Sequence, residues 1–141
     1  MQVEQLDTDT RQWLDEHLQV AEEAGFGSTP PRLFEAFEQT RADFFIAREE
    51  DEELDPTPFM ASFGIAVGEY LRRELGMDWV IINDDYGTDL AILRETPDGG
   101  QVYSCPIVVV GKRFDEDYEE GQLEQFCNHF LQVSGGQLGL N

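Results

Sequence analysis

The stretch FMASFGIAVGEYLRRELGMDWVIINDDYGTDLAILRETPDGGQVYSCPIVVVGKR, residues Phe59 to Arg113, decides the fold. Its first third carries Phe59, Met60, Phe63, Val67, Tyr70, Leu71 and Leu75 on one stripe at helical spacing. Thr57 supplies a cap, Pro58 suits the first helical position because its missing N–H would have no partner there, and Gly76 stops the helix. Gly64 and Gly68 stand four apart on that helix. A glycine inside a helix costs roughly 1 kcal/mol relative to alanine, so two in line predict another backbone passing close by, from the sheet or from a second helix.

The rest of the stretch reads as three apolar strands in a meander. With Asp84 to Gly87 as the first hairpin loop and Pro97 to Gly100 as the second, Asn83 faces Thr88 and Thr96 faces Gln101. One face then holds Trp79, Ile81, Leu90, Ile92, Cys105, Ile107 and Val109. The other holds Val80, Ile82, Ala91, Leu93, Val108 and Val110, with Asp84, Asp89 and Ser104 among them. Both faces are too apolar to be left in water, so either helices cover both or a second copy of the chain covers one. Pro106 cannot donate to a ladder, which predicts an edge or a bulge for the third strand.

Outward from this centre the pattern is helical. A first helix starts at a cap among Thr8 to Thr10 and runs to Glu23, with Trp13, Leu14, His17, Leu18, Ala21 and Ala24 on one stripe. Gly25 and Gly27 end it. Ser28 or Thr29 caps a second helix, whose first turn holds Pro30 and Pro31 and whose inward residues are Leu33, Phe34, Phe37, Phe44 and Phe45. Six acids in the seven residues from Glu49 to Asp55 read as a solvated connection. A closing helix begins near Asp117, with Glu120 three residues on, and carries Leu123, Phe126, Cys127, Phe130 and Leu131 to the core before Gly135 and Gly136 end it. The prediction is one α+β domain over residues 1–141: three N-terminal helices, a three-stranded antiparallel meander and a C-terminal helix.

Composition limits what such a domain does. Thirty Asp plus Glu against nine Lys plus Arg give a net charge of -21, which repels nucleic-acid backbones and anionic membranes and favours a basic protein partner. The bland reading is a host-wide acidic bias, since Lys112 is the one lysine. No apolar run reaches the roughly 18 to 20 residues of a spanning helix, and the polar start has no signal-peptide pattern, so the expected location is cytoplasmic. Cys105 and Cys127 read as buried thiols rather than a disulfide or a metal pair.

Catalytic patterns are weak. Asn83 to Asp89 superficially resembles a calcium loop, but its oxygens miss positions 1, 3 and 5 ahead of the glycine, and Arg94 stands where a bidentate Glu should close it. A tight turn explains the same residues. His17 and His129 show no metal spacing, Cys127 and His129 point in different directions on a helix, and no nucleophile elbow or phosphate loop occurs. Neither a cofactor nor a metal is implied. One polar cluster follows from the register, which sets Lys112 opposite Asp85 and predicts an anchor site of Trp79, Asp84, Asp85, Tyr86, Asp89, Lys112 and Arg113. Its bland reading is a surface ion pair worth ~0 to 1 kcal/mol.

The passage FGIAVGEYLRRELGMDWVIINDDYGTDLAI followed by PIVVVGKRF resembles a bacterial family described as domain of unknown function 3806. Gly64, Gly68 and Glu69, the Leu75 to Val80 junction, the Asp85-Tyr86-Gly87 turn and Lys112-Arg113 carry the resemblance, over about residues 58–131. Residues 1–55 are then a helical extension packed on the family-like part. The resemblance implies no activity, substrate or ligand. Two function classes follow: a non-enzymatic interaction module of immunity, chaperone or adaptor type, with a basic partner or a second copy of itself, or a small carboxylate-based or metal-dependent enzyme near the first hairpin turn. A pocket around Asp84, Asp85 or Asp89 would favour the enzyme, and an apolar patch rimmed by acids the module.

Overall fold

The computed structural model describes residues 1–27 and 29–140. Among these the order is β1 (Gln2–Glu4), α1 (Thr8–Glu23), α2 (Pro30–Glu50), α3 (Thr57–Leu75), β2 (Asp78–Asp84), β3 (Gly87–Glu95), β4 (Gln101–Ser104), α4 (Pro106–Gly111) and α5 (Gln122–Gln137). The α+β class holds. The sheet has four strands rather than three, antiparallel in the order β1-β2-β3-β4.

Helix α3 is the centre of the molecule, with α1, α2, α4 and α5 all packed on it. Its start differs slightly from expectation, because Asp55 Oδ1 accepts both the Thr57 N–H (3.0 Å) and the Thr57 hydroxyl (2.7 Å), so Asp55 does the capping and Thr57 sits in the first turn. Gly76 ends α3 in the left-handed conformation, φ 63°, as its sequence position predicts. Asp7 caps α1 through Thr10 N–H at 2.7 Å, and Thr29 precedes the two prolines of α2. The alternative cap Ser28 lies outside the described residues.

The first hairpin has the expected register, with Asn83 opposite Thr88 and Trp79 opposite Ile92. The second is one residue out. Thr96 N–H donates to Gly100 O at 2.9 Å and Gly100 N–H to Asp98 Oδ1 at 3.1 Å, so Thr96 belongs to a five-residue loop and Glu95, not Thr96, faces Gln101. A one-residue slip exchanges faces. Val102 and Ser104 therefore join Ile92 on the main-core face, and Cys105 turns to the other side with Ile82, Ala91, Leu93 and Val80.

The third strand also stops early. Pro106–Gly111, expected to continue it, is a helix, so Ile107, Val108, Val109 and Val110 are not on the sheet faces assigned to them. Cys105 stays extended, as a residue before proline does, and Pro106 then occupies the first helical position. The β-branched run gives way because α3 offers a smooth groove. A Cβ on Gly64 would stand 2.6 Å from Ile107 Cα, and one on Gly68 would stand 2.7 Å from Pro106 Cγ and also strike the Trp79 ring. The two glycines thus make room for α4 and for the sheet, and Val110 reaches the core with no exposed surface.

Leu14, Phe37, Phe63, Trp79, Ile92, Val110, Leu123 and Cys127 share one buried cluster, with Leu90, Ile107, Phe126 and Phe130 packed against it. Two ends differ from expectation. Helix α5 starts at Gln122 after Gly121, which adopts φ 90°, rather than near Asp117, and it runs through Gly135 and Gly136 to Gln137. Ser134 and Gly135 are buried, so the small residues serve close packing and not termination. Strand β1 pairs Val3 with Ile82 on the free side of β2, and its three exposed residues carry no periodicity that a sequence reading detects.

Candidate functional site

The residues of the expected anchor site are dispersed. Asp84, Asp85 and Tyr86 form the β2–β3 turn, where Asp84 Oδ1 accepts the Tyr86 N–H at 2.8 Å and the Thr88 hydroxyl donates to Asn83 Oδ1. Tyr86 is 98% exposed. These are the self-contained hydrogen bonds of a turn, and Gly87 provides its φ of 131°. Asp89 stands half-buried near Cys105, whose thiol is pushed up by burial first and then by Asp89 and Asp84.

Lys112 and Arg113 do not meet that turn through the ladder, because β4 ends at Ser104 opposite Ile92 and the chain turns away into α4. Arg113 donates to Val109 O at 2.9 Å and lies over the Phe126 ring at 4.6 Å. Among the described residues the ion pairs are Arg11–Asp15, Arg72–Glu69 and Arg73–Glu69, and none joins Lys112 to Asp85. The cavities of about 630 and 660 Å³ lie elsewhere too.

Trp79 belongs to a different constellation. Its indole N–H donates to Glu69 Oε2 at 3.2 Å, while Glu69 Oε1 receives Arg72 Nε at 2.6 Å and Arg72 Nη2 at 2.5 Å. Arg72 Nη1 continues to Met77 O at 3.4 Å. The buried carboxylate thus ties α3 to the start of β2, with both oxygens engaged by donors. A carboxylate so held is a brace, because its oxygens are already taken by donors from α3 and β2. The signal in the sequence was Glu69 standing three and four residues ahead of Arg72 and Arg73 on one helix, a pairing that composition alone does not weigh.

A second brace holds the loop before α5. Arg41 donates Nε–H to Arg113 O at 2.8 Å, also donates to Asp115 O, and lies between the rings of Phe45 (4.6 Å) and Tyr118 (4.5 Å). The Tyr118 hydroxyl donates to Glu38 and accepts Leu123 N–H at 3.2 Å. Burial, then the bond to Glu38, pushes its pKa up. Beside it opens the groove of about 630 Å³, walled by Glu35, Glu38, Glu120 and Glu124 with Phe34 and Arg41. Among the described residues no group of three His, Cys, Asp or Glu is placed to hold a metal ion.

The surface of α1 is different again. Trp13 and Val20 are 39% and 62% exposed, and His17 lies between them with its ring 4.4 Å from that of Trp13. Residues 13, 17 and 20 fall on one side of a helix. Trp13 was expected on the core stripe, but only Leu14 of α1 is fully buried, since α1 meets α3 along a narrow line.

An acidic α+β chain with structural braces in its interior and an exposed apolar strip on its first helix is the class of protein that this geometry defines. Residues 41–126, more than half the chain, match the model of the family described as Domain of unknown function (DUF3806), and the chain belongs to that family. No curated protein and no solved structure matches the chain. The matched span starts within α2, earlier than the sequence resemblance placed it, and takes in Glu69, Trp79 and α4. Helix α1 lies outside it.

Proposed function

We propose that the protein is a non-enzymatic interaction module that docks a basic protein partner in the cytoplasm, in the manner of an immunity protein, chaperone or adaptor. The observation that carries this reading is the pair of exposed apolar side chains Trp13 and Val20, with the half-buried His17 between them, flanked by acids on a chain of net charge -21. Electrostatic attraction brings a basic partner in and rejects nucleic acid and anionic membrane, while the apolar strip supplies the desolvated contact that charge alone lacks. No helix among the described residues is long and apolar enough to cross a membrane.

The test is a complex formed at physiological salt. The immobilised protein should retain a basic protein from source-cell lysate, and the two purified proteins should re-form a stoichiometric complex whose affinity falls as salt rises. Recovery of no stoichiometric complex overturns the reading.

A further inference from the structure

The flank of the α1 strip is ordered. Asp9, Glu16 and Glu23 recur every seventh residue, which sets them in a row along one side of Trp13, His17 and Val20. All three are exposed, and among the described residues none forms an ion pair. Glu16 and Glu23 accept hydrogen bonds from the neutral amides of Gln12 and Gln19, at 3.4 and 3.3 Å. Beside the strip lie two cavities, of about 200 and 210 Å³, that share Ala21 and Phe26, and the first of them touches the strip at His17 and Val20. The first is walled by Glu16, His17, Val20, Ala21, Phe26 and Ser62. Each is smaller than the roughly 300 Å³ at the low end for small-molecule pockets, and so is sized for a side chain rather than a metabolite.

A seven-residue acid row beside an apolar strip is one half of a helix-pairing surface. In paired helices an apolar seam is flanked by charges at fixed positions of a seven-residue repeat, and opposite charges across the seam choose the partner. From this complementarity we infer that α1 docks a basic amphipathic helix of the partner protein. Its apolar face covers Trp13, His17 and Val20, one aliphatic or aromatic side chain fills the notch at Phe26 and Ser62, and arginines or lysines seven residues apart face Asp9, Glu16 and Glu23. This rests on the interaction-module reading and adds the site and the form of the partner. A second copy of this chain does not fit, because its own α1 presents the same acids.

The probe is a synthetic amphipathic helix of leucine and arginine with its arginines seven residues apart, compared with a scrambled peptide of the same composition, by fluorescence anisotropy at physiological salt. The ordered peptide should bind tighter. Val20→Glu, and separately the double change Glu16→Arg with Glu23→Arg, should each weaken it by about tenfold or more, as loss of a central contact does. The double variant should instead accept a glutamate-bearing version of the peptide. Ile46→Glu, at a residue 65% exposed on α2, should change nothing. Thermal melts by circular dichroism show that each variant is folded. Equal binding of ordered and scrambled peptides, or equal weakening by Ile46→Glu and Val20→Glu, overturns the α1 site and leaves the basic-partner reading standing. Binding of neither peptide also overturns the α1 site, and the stoichiometric-complex test then decides the wider reading separately.

Discussion

Gly64 and Ile107 lie in backbone contact: a Cβ on the glycine would stand 2.6 Å from the Ile107 Cα and 3.0 Å from its nitrogen. Because those atoms are main chain, no rotamer change relieves the clash, and α4 would have to move as a body. Alanine gains roughly 1 kcal/mol over glycine in a helix interior, whereas overpacking costs about 1 to 3 kcal/mol or more. Gly64→Ala should therefore lower stability, by up to about 2 kcal/mol, in urea unfolding. A stabilised variant would show that α4 is not seated on α3.

The thiols should report on the core. Cys127 is fully buried, and burial, opposed by Arg113, pushes its thiol from 9.0 up to about 12. An alkylating reagent at neutral pH should modify the half-buried Cys105 slowly and Cys127 only in denaturant. Both folded-state thiols hold their protons more tightly than the unfolded chain does. Their contribution is therefore complete below pH 9.0 and is lost as pH rises towards about 12 for Cys127. Stability should fall across that window, and Cys127→Ala should flatten the fall; an unchanged slope would place the thiol in water.

Net charge predicts a salt response. The radius of gyration expected for this length is roughly 14 Å, while the screening length is about 8 Å at physiological salt, so many carboxylates repel one another within one screening distance. The melting temperature should rise from low to moderate ionic strength. At matched ionic strength calcium and magnesium should add no saturable increment, and a saturable effect abolished by Asp85→Asn would instead locate a cation site at the first hairpin turn and favour an enzyme.

The outer sheet face carries a separate expectation of self-association. Ile82, Ala91 and Leu93 are already buried there within the chain and Val80 and Cys105 are half-buried, so the part of this face open to a second copy is its rim, where Val3 and Tyr103 are 40% and 45% exposed, and α1 and α2 pack on α3 instead. A twofold dimer through this face would be opposed by -21 charges on each copy. Sedimentation equilibrium should show association that strengthens with salt. A monomer at high protein and high salt concentration removes this surface from consideration.

The chain by itself determined the α+β class, helices α1 to α3 almost to the residue, and the first hairpin, since each rests on local signals: caps, prolines, helical spacing and a turn that bonds to itself. It also marked Gly64 and Gly68 as a line of close approach, without saying what approaches. Tertiary structure decided the remainder. Pro106 to Val110 has the composition of a strand and becomes α4 because α3 supplies a groove that a helix fills, a contact some forty residues away in the chain. The β3–β4 loop takes one more residue than its turn signal indicates, through the bonds of Thr96 and Asp98 with Gly100, and that single residue moved Cys105 to the opposite face. The expected cluster of Lys112 with Asp85 failed with the strand on which it depended. Trp13 came out to solvent because helical spacing defines a stripe on α1 but not its width, and the line along which α1 meets α3 covers Leu14 and leaves Trp13 and Val20 exposed with His17 half-buried between them.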